Sequence, residues 1–113
     1  MEIAVRHEEN VTVLAIQGMV DAMTADNLTI SFSEQVQNGH TRLVADFTEV
    51  SYTSSAGLRA LLATAKQARE QGGDLRLAGV HPNVHRVLQL SGFTGILKLY
   101  SEVEEAIRSY DQS

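Results

Sequence analysis

The segment from Asp46 to Leu62 constrains the fold of this chain more than any other part of the sequence. Its first residues indicate a buried strand, a short loop follows, and Ser54 and Ser55 then occupy the point where an amphipathic helix begins. Backbone N–H groups at the start of a helix have no partner within the helix, and the helix dipole is positive there. A serine at this position can therefore carry a phosphate without unfolding the domain. The pattern is typical of a switch site rather than of a catalytic centre.

Two strands and a helix are predicted before this segment. Residues 2–8 alternate as in a half-buried strand, and residues 11–17 have high β propensity, so we expect an antiparallel hairpin that turns at Glu9-Asn10. Thr24 could cap a following helix whose apolar face is formed by Ala25, Leu28, Phe32 and Val36. The apolar residues 43–45 then indicate an interior strand, paired in parallel through a right-handed crossover.

The helix that follows Ser55 has the clearest periodicity, and Gly72-Gly73 is expected to end it. Its apolar positions are Leu58, Leu61, Leu62, Ala65 and Ala68. Leu75 and Leu77 alternate with Asp74, Arg76 and Ala78, which indicates another strand.

Three short elements are predicted in the remaining residues. A helix should extend from Pro82 to Gly92, a strand should occupy residues 96–100, and a capping box at residues 101–104 should start a last helix. The order of elements predicts an α/β fold. We expect a single domain with a mixed four- to five-stranded sheet and helices mainly on one face.

Chain length and composition restrict the function classes. The 113 residues suit one domain, spanning residues 1–113, and 14 acidic against 9 basic residues give a net charge of −5, which disfavours nucleic-acid binding. The absence of cysteine excludes disulfides and thiolate metal sites. No apolar run approaches the roughly 20 residues needed to span a bilayer, and the first residues lack a signal-peptide pattern. We expect a cytoplasmic protein that binds no nucleic acid, membrane or cofactor.

Enzymatic function fits the residues poorly. The candidate bases near neutral pH are His7, His40, His81 and His85. Two of them have helical spacing, but Pro82 is expected to start a helix between them and no glutamate accompanies them, so no metal site is predicted. The sequence also lacks a nucleophile elbow and a phosphate-binding glycine loop. A response-regulator receiver would need an acidic cluster after its first strand, which residues 6–9 do not provide. We expect no enzymatic activity.

Composition and spacing alone leave the role of the two serines open. Serine is among the best N-cap residues, and loss of a cap costs about 1 kcal/mol, so Ser54 or Ser55 could simply cap the helix. Gly57 could likewise serve a tight turn between strand and helix, where a residue without Cβ is often needed.

A longer stretch around these residues resembles a known family. Residues 52–62, Tyr-Thr-Ser-Ser-Ala-Gly-Leu-Arg-Ala-Leu-Leu, are similar to the signature of STAS domains, the family of bacterial anti-sigma-factor antagonists. That family has a strand of the form D-[LF]-x-x-V-x-[YF] before D-S-[SA]-G-L and a helix. The residues that match are Asp46, Phe47, Val50, Tyr52, Ser55, Ala56, Gly57 and Leu58. Residues 18–28 also resemble the family pattern G-x-[LV]-D-x-x-[TN]-x-x-x-[LF]. The resemblance extends over nearly the whole chain in the order of its elements.

The resemblance implies a phosphorylation site and a surface that binds a partner. Ser55 matches the serine that the family phosphorylates, with Ser54 as the alternative. Ser54 replaces the family's usual aspartate, and Thr53 replaces a common aliphatic residue. The residues implied to bind a partner are Asp21, Thr53, Ser54, Ala56, Gly57 and Arg59. Asp21 could equally belong to a turn, and Arg59 could be an ordinary exposed arginine instead of a partner for phosphoserine.

The family also implies a mode of action. The unphosphorylated protein would bind an anti-sigma factor that is also a serine kinase, and would thereby free a sigma factor for transcription. Phosphorylation would dissociate the complex, and a serine phosphatase would restore binding. Two related roles stay open, namely a STAS scaffold that is not phosphorylated and an accessory subunit of a transporter.

Overall fold

The computed structural model describes residues 1–112, which form a five-stranded mixed sheet and four α-helices. The strands lie in the order β1-β2-β3-β4-β5; β1 and β2 are antiparallel, and the other pairs are parallel. The strands are β1 (Glu2–Glu8), β2 (Val11–Val20), β3 (Arg42–Thr53), β4 (Asp74–Ala78) and β5 (Lys98–Tyr100). The α-helices are α1 (Ala25–Gln37), α2 (Ser55–Glu70), α3 (Pro82–Leu90) and α4 (Val103–Ser109). The predicted fold class is confirmed.

The predicted hairpin of β1 and β2 is confirmed, and it turns at Glu9-Asn10, where Glu9 has a φ of 57°. The predicted half-burial of β1 is wrong for most of the strand. Ile3 packs against the core, but Val5 is 42% exposed and His7 is also exposed. The reason is the position of β1 at the edge of the sheet, where it has a single neighbouring strand.

Helices α1, α2 and α3 cover one face of the sheet with apolar side chains. The predicted core positions of α1 are buried, and of those predicted for α2 only Leu62 is partly exposed. Burying one Leu or Phe side chain contributes about 1.5–3 kcal/mol. The largest fully buried side chains of this core are Leu14, Ile16, Leu28, Phe32, Leu43, Phe47, Leu58, Leu61, Leu75, Leu77, Leu88 and Leu97.

Helix α4 covers part of the other face, and a polar cluster fastens it there. The Tyr110 hydroxyl oxygen lies 3.1 Å from the Leu43 backbone nitrogen, 2.7 Å from the Leu43 carbonyl oxygen and 2.9 Å from that of Asp74. The Arg76 guanidinium lies 4.0 Å from the Tyr110 ring centroid and donates a hydrogen bond to the Asp74 carboxylate. Arg69 donates a second hydrogen bond to the Asp74 carboxylate. The buried charges are therefore paired.

The predicted capping box at residues 101–104 is wrong. The N-cap residue of α4 is Glu102, which makes no side-chain cap hydrogen bond, so Ser101 lies one residue too early to cap the helix. Within residues 1–112, no helix is both long and apolar enough to cross a membrane.

Strand β3 is longer than predicted. It pairs with β4 only from Arg42 to Asp46, but it continues beside β2 as far as Thr53. The predicted loop between strand and helix is therefore wrong, and Asp46 lies inside the strand. Shifts in register between β2 and β3 near Gly18, which has a φ of 107°, make this extension irregular. Such bulges break the alternation on which strand prediction depends.

Candidate functional site

The carboxyl ends of β2 and β3 meet at one edge of the sheet, which we call the carboxyl edge (residues 19–24 and 53–59). Val20 pairs with Thr53, and the Ser54 N–H donates a hydrogen bond of 2.7 Å to the Val20 carbonyl oxygen. Asp21 follows Val20 directly. The structure therefore places Asp21 at the same edge of the sheet as Ser54 and Ser55, although the two segments are distant in the sequence.

The two serines at this edge have different surroundings. Ser54 is the N-cap residue of α2, and its Oγ accepts a hydrogen bond from the Gly57 N–H over 3.2 Å. Ser55 is the first residue of the helix and is exposed, and within the described part of the chain no hydrogen bond engages its Oγ. The capping role that the sequence left open therefore belongs to Ser54, whereas the Ser55 hydroxyl is accessible and unengaged.

Thr53 and Gly57 lie beneath the carboxyl edge. Thr53 is 2% exposed, which corrects the expectation that its side chain contacts a partner. A Cβ at Gly57 would lie 2.5 Å from Thr53 Oγ1 and 2.6 Å from Val20 Cγ1, well inside van der Waals contact. The glycine is thus needed because α2 approaches the strands closely, rather than because the turn requires a special backbone angle. Both residues position the start of α2, and Ala56 is partly exposed beside them.

The start of α2 favours a negative charge. Its first turn contains no acidic residue, and the exposed Arg59 follows Ser55 by four positions. Residues four apart in a helix are neighbours on its surface. A phosphate on Ser55 would therefore meet the positive end of the helix dipole and a guanidinium within reach.

Asp21 organises the turn that leads from β2 to α1. Its Oδ1 accepts hydrogen bonds from the backbone N–H groups of Met23 and Thr24, at 2.9 and 3.0 Å. The bond from Thr24 is the main reason that the pKa of Asp21 lies below its ordinary value. Asp21 is therefore a turn residue, and its contact with a partner stays a prediction. Thr24 occupies the N-cap position of α1 but makes no side-chain cap bond, so its predicted capping role is wrong.

Sequence reasoning missed the residues that support the outer part of β3. The His81 ring donates from Nε2 to the Thr48 carbonyl oxygen at 2.6 Å, and Asn83 Nδ2 donates to the Ser51 carbonyl oxygen at 2.7 Å. These partners are 33 and 32 residues apart, so no local pattern indicates them. Among residues 1–112, no three histidine, aspartate or glutamate side chains are placed to hold a metal ion.

Comparison with known proteins agrees with this architecture. A family model described as the STAS domain matches residues 2–106. The protein BtrV of Bordetella bronchiseptica, by its name a candidate anti-sigma factor antagonist, is 33% identical over 110 residues, which cover 97% of this chain and 95% of the relative. An anti-sigma F factor antagonist of Paenibacillus polymyxa is 26% identical over 108 residues, covering 95% and 92%.

A solved structure has the same arrangement of elements. The Bacillus cell fate determinant SpoIIAA, in its phosphorylated form, matches with a TM-score of 0.75 and 21% identity. The match covers 96% of this chain and 99% of that chain. At this identity the likeness shows a shared fold.

Proposed function

This chain belongs to the STAS domain family, and we propose that it is an anti-sigma factor antagonist whose binding is switched off by phosphorylation of Ser55. The names of its curated relatives support the antagonist role. They identify regulatory binding proteins rather than enzymes. The switch itself is proposed from the chemistry of the carboxyl edge.

One observation carries the choice of Ser55. Its hydroxyl is exposed and unengaged at the first position of α2, whereas the neighbouring Ser54 hydroxyl is bonded to the Gly57 N–H. A kinase that modified Ser54 would have to displace a cap worth about 1 kcal/mol. Ser55 can react without that loss. The γ-phosphoryl group of ATP would pass to Ser55 Oγ, the bond to ADP would break, and the hydroxyl proton would leave to a base of the kinase.

The domain should tolerate this modification. A phosphoserine adds a charge of about −1.5 to −2 at neutral pH. The helix dipole stabilises a negative group at this position by about 0.3–1 kcal/mol, and Arg59 offers a further favourable partner. The free energy of unfolding should therefore be nearly unchanged.

A complex that covers Ser55 should not tolerate phosphorylation of this residue. The phosphate would lose its water at the interface, and each acidic neighbour about 4 Å away would cost about 4 kcal/mol at an effective dielectric constant of 20. Each 1.4 kcal/mol changes affinity about tenfold. A fraction of this cost would dissociate a micromolar complex, so the switch would act on binding and leave the fold intact.

The proposed partners follow from this scheme. An anti-sigma factor with serine kinase activity would bind the unmodified carboxyl edge through Asp21, Ala56 and Arg59, and would also modify Ser55. A serine phosphatase would remove the phosphate. We place these steps in the cytoplasm, where sigma factors act.

The test uses the purified serine-kinase anti-sigma factor from the same genome. Wild type and Ser55→Ala should bind it with similar affinity, whereas Ser55→Asp should bind at least about tenfold more weakly, which corresponds to 1.4 kcal/mol. Incubation with ATP should add the mass of one phosphoryl group to wild type and none to Ser55→Ala.

Ser54→Ala is the matched control, because it removes the neighbouring hydroxyl. It should still gain one phosphoryl group, at Ser55. Equal affinity of wild type and Ser55→Asp, with unchanged thermal stability, would rule out Ser55 as the switch. Binding without any change in mass would instead favour a STAS scaffold that is not phosphorylated.

A further inference from the structure

The sheet face that carries α4 is only partly covered within residues 1–112. Beneath Ala106, Ile107 and Tyr110, the strands contribute Val11, Val13, Val44 and Ala78. Further along, the same face of β1, β2 and β3 forms a depression of about 540 Å³. We call this region the open sheet face, defined by Glu2, Ala4, Ala15, Gln17, Asp46 and Glu49.

The floor of the open sheet face is made of small residues with carboxylates around them. Ala15 pairs with Ala4 on one side and with Asp46 on the other. Gln17 pairs with Glu2 and Glu49 in the same way. Alanines at the centre leave room for a helix backbone to approach closely, as it does at helix interfaces rich in small residues.

The carboxylates of this face, those of Glu2, Asp46 and Glu49, take no part in the ion pairs of the described residues. Arg6 lies further along the same side of β1, but its guanidinium is 3.4 Å from the Glu8 carboxylate. The open sheet face therefore presents negative charge to whatever approaches it.

Apolar side chains continue the open sheet face towards the carboxyl edge. Met19 of β2 pairs with Tyr52 of β3, and these side chains are 54% and 47% exposed. Methionine and tyrosine are enriched at the centres of protein interfaces, because they bury a large adaptable surface. A ligand bound to the open sheet face would therefore contact apolar side chains at one end of the face and carboxylates at the other.

We propose that the open sheet face binds a basic amphipathic helix of a protein partner. Apolar residues of that helix would cover Met19 and Tyr52, and its lysines or arginines would face Glu2, Asp46 and Glu49. Helix α4 already packs on the adjoining part of the same face, so the geometry accepts a helix. A second copy of this acidic chain would meet like charges, and nucleic acid would be repelled. The contact requires no phosphate and does not depend on the proposed switch.

The probe for this surface is a synthetic helical peptide with leucine on one face and lysine on the other. Titrated into isotopically labelled protein, it should shift the amide signals of Ala4, Ala15, Met19 and Tyr52 while leaving those of α3 unchanged. Removing two charges with Glu2→Gln/Glu49→Gln should weaken binding about threefold to tenfold, as expected for exposed ion pairs. Tyr52→Ala should weaken it about tenfold, as expected for a central aromatic contact.

Matched variants keep the test specific. Glu34→Gln/Glu70→Gln removes the same charge from exposed helix positions, and Leu90→Ala removes an apolar side chain that is 79% exposed. Both should bind the peptide like wild type. Equal weakening by the two charge variants, or signal shifts centred elsewhere, would overturn the proposal. So would a sedimentation coefficient that rises with protein concentration in wild type but not in Tyr52→Ala, because a second copy would then occupy the face.

Discussion

The inner half of β3 (residues 42–46) and its outer half (residues 47–53) are held in different ways. The inner half lies between β2 and β4, and helices cover both faces of its residues 43–45. The outer half has β2 on one side only, and its other edge is met by single side chains, His81 and Asn83. It ends at Thr53, two residues before the candidate switch serine, Ser55.

This difference separates stability from function along one strand. Changes in the inner half should remove packing or buried hydrogen bonds and should lower the stability of the whole domain. Changes at the end of the outer half should have small effects on stability and large effects on binding. A switch residue has to be modified without unfolding the protein. It is therefore best placed at the end of the outer half, where changes have small effects on stability.

The largest effect is expected for Leu43→Ala in the inner half. Leu43 is fully buried between the sheet and the helices, so its truncation should lower the free energy of unfolding by about 2–5 kcal/mol. Chemical denaturation would measure the change. A loss below about 1 kcal/mol would break the comparison, because the inner half would then not be the rigid part of the strand.

Tyr110→Phe should have the next largest effect on the free energy of unfolding. The change keeps the ring but leaves the buried Leu43 N–H without the hydroxyl, which should cost about 1–3 kcal/mol. Burial, and then the nearby Asp74 carboxylate, raise the pKa of Tyr110 above its ordinary value of 10.0. A raised pKa means that the stabilisation is complete below the ordinary value and is lost as pH rises beyond it.

The pH dependence of stability provides a control for the prediction on Tyr110→Phe. The stability of wild type should fall above pH 10.0 more steeply than that of Tyr110→Phe, so the difference between them should shrink there. A difference that stays constant across this range would show that the pKa of Tyr110 is not raised in the folded protein.

The same contrast explains how much of the molecule could be predicted from sequence. Periodicity identified α1, α2 and the buried strands, because repeated apolar spacing reports directly on packing against a core. It predicted a loop where the outer half of β3 continues to Thr53, because a bulge breaks the alternation there. It also missed the supports from His81 and Asn83, which are distant in sequence. The sequence pattern also did not decide whether Ser54 or Ser55 is the N-cap residue of α2. Only the hydrogen bond from Gly57 distinguishes them.

Ser54→Ala sharpens the comparison at the end of the outer half. Loss of the cap should lower the free energy of unfolding by about 1 kcal/mol, less than Leu43→Ala or Tyr110→Phe. Ser55→Ala is the matched control and should have almost no effect on stability, because its hydroxyl makes no such bond. Thermal denaturation of both variants would check this. A larger loss for Ser55→Ala would mean that Ser55, and not Ser54, caps α2.

The smallest effect is expected for Asp21, in the turn beside the outer half. Its carboxylate accepts two backbone N–H bonds, and these hold its pKa below 3.8. A lowered pKa means that any stabilisation is present above 3.8 and is lost as pH falls through the value of the folded protein. Because the carboxylate is exposed to water, the stability of Asp21→Asn at neutral pH should be close to that of wild type. Titration of the Asp21 carboxyl carbon by NMR should give the lowered pKa directly. A value at or above 3.8, or a strongly destabilised Asp21→Asn, would mean that this turn belongs with the rigid inner half and is not free to serve binding.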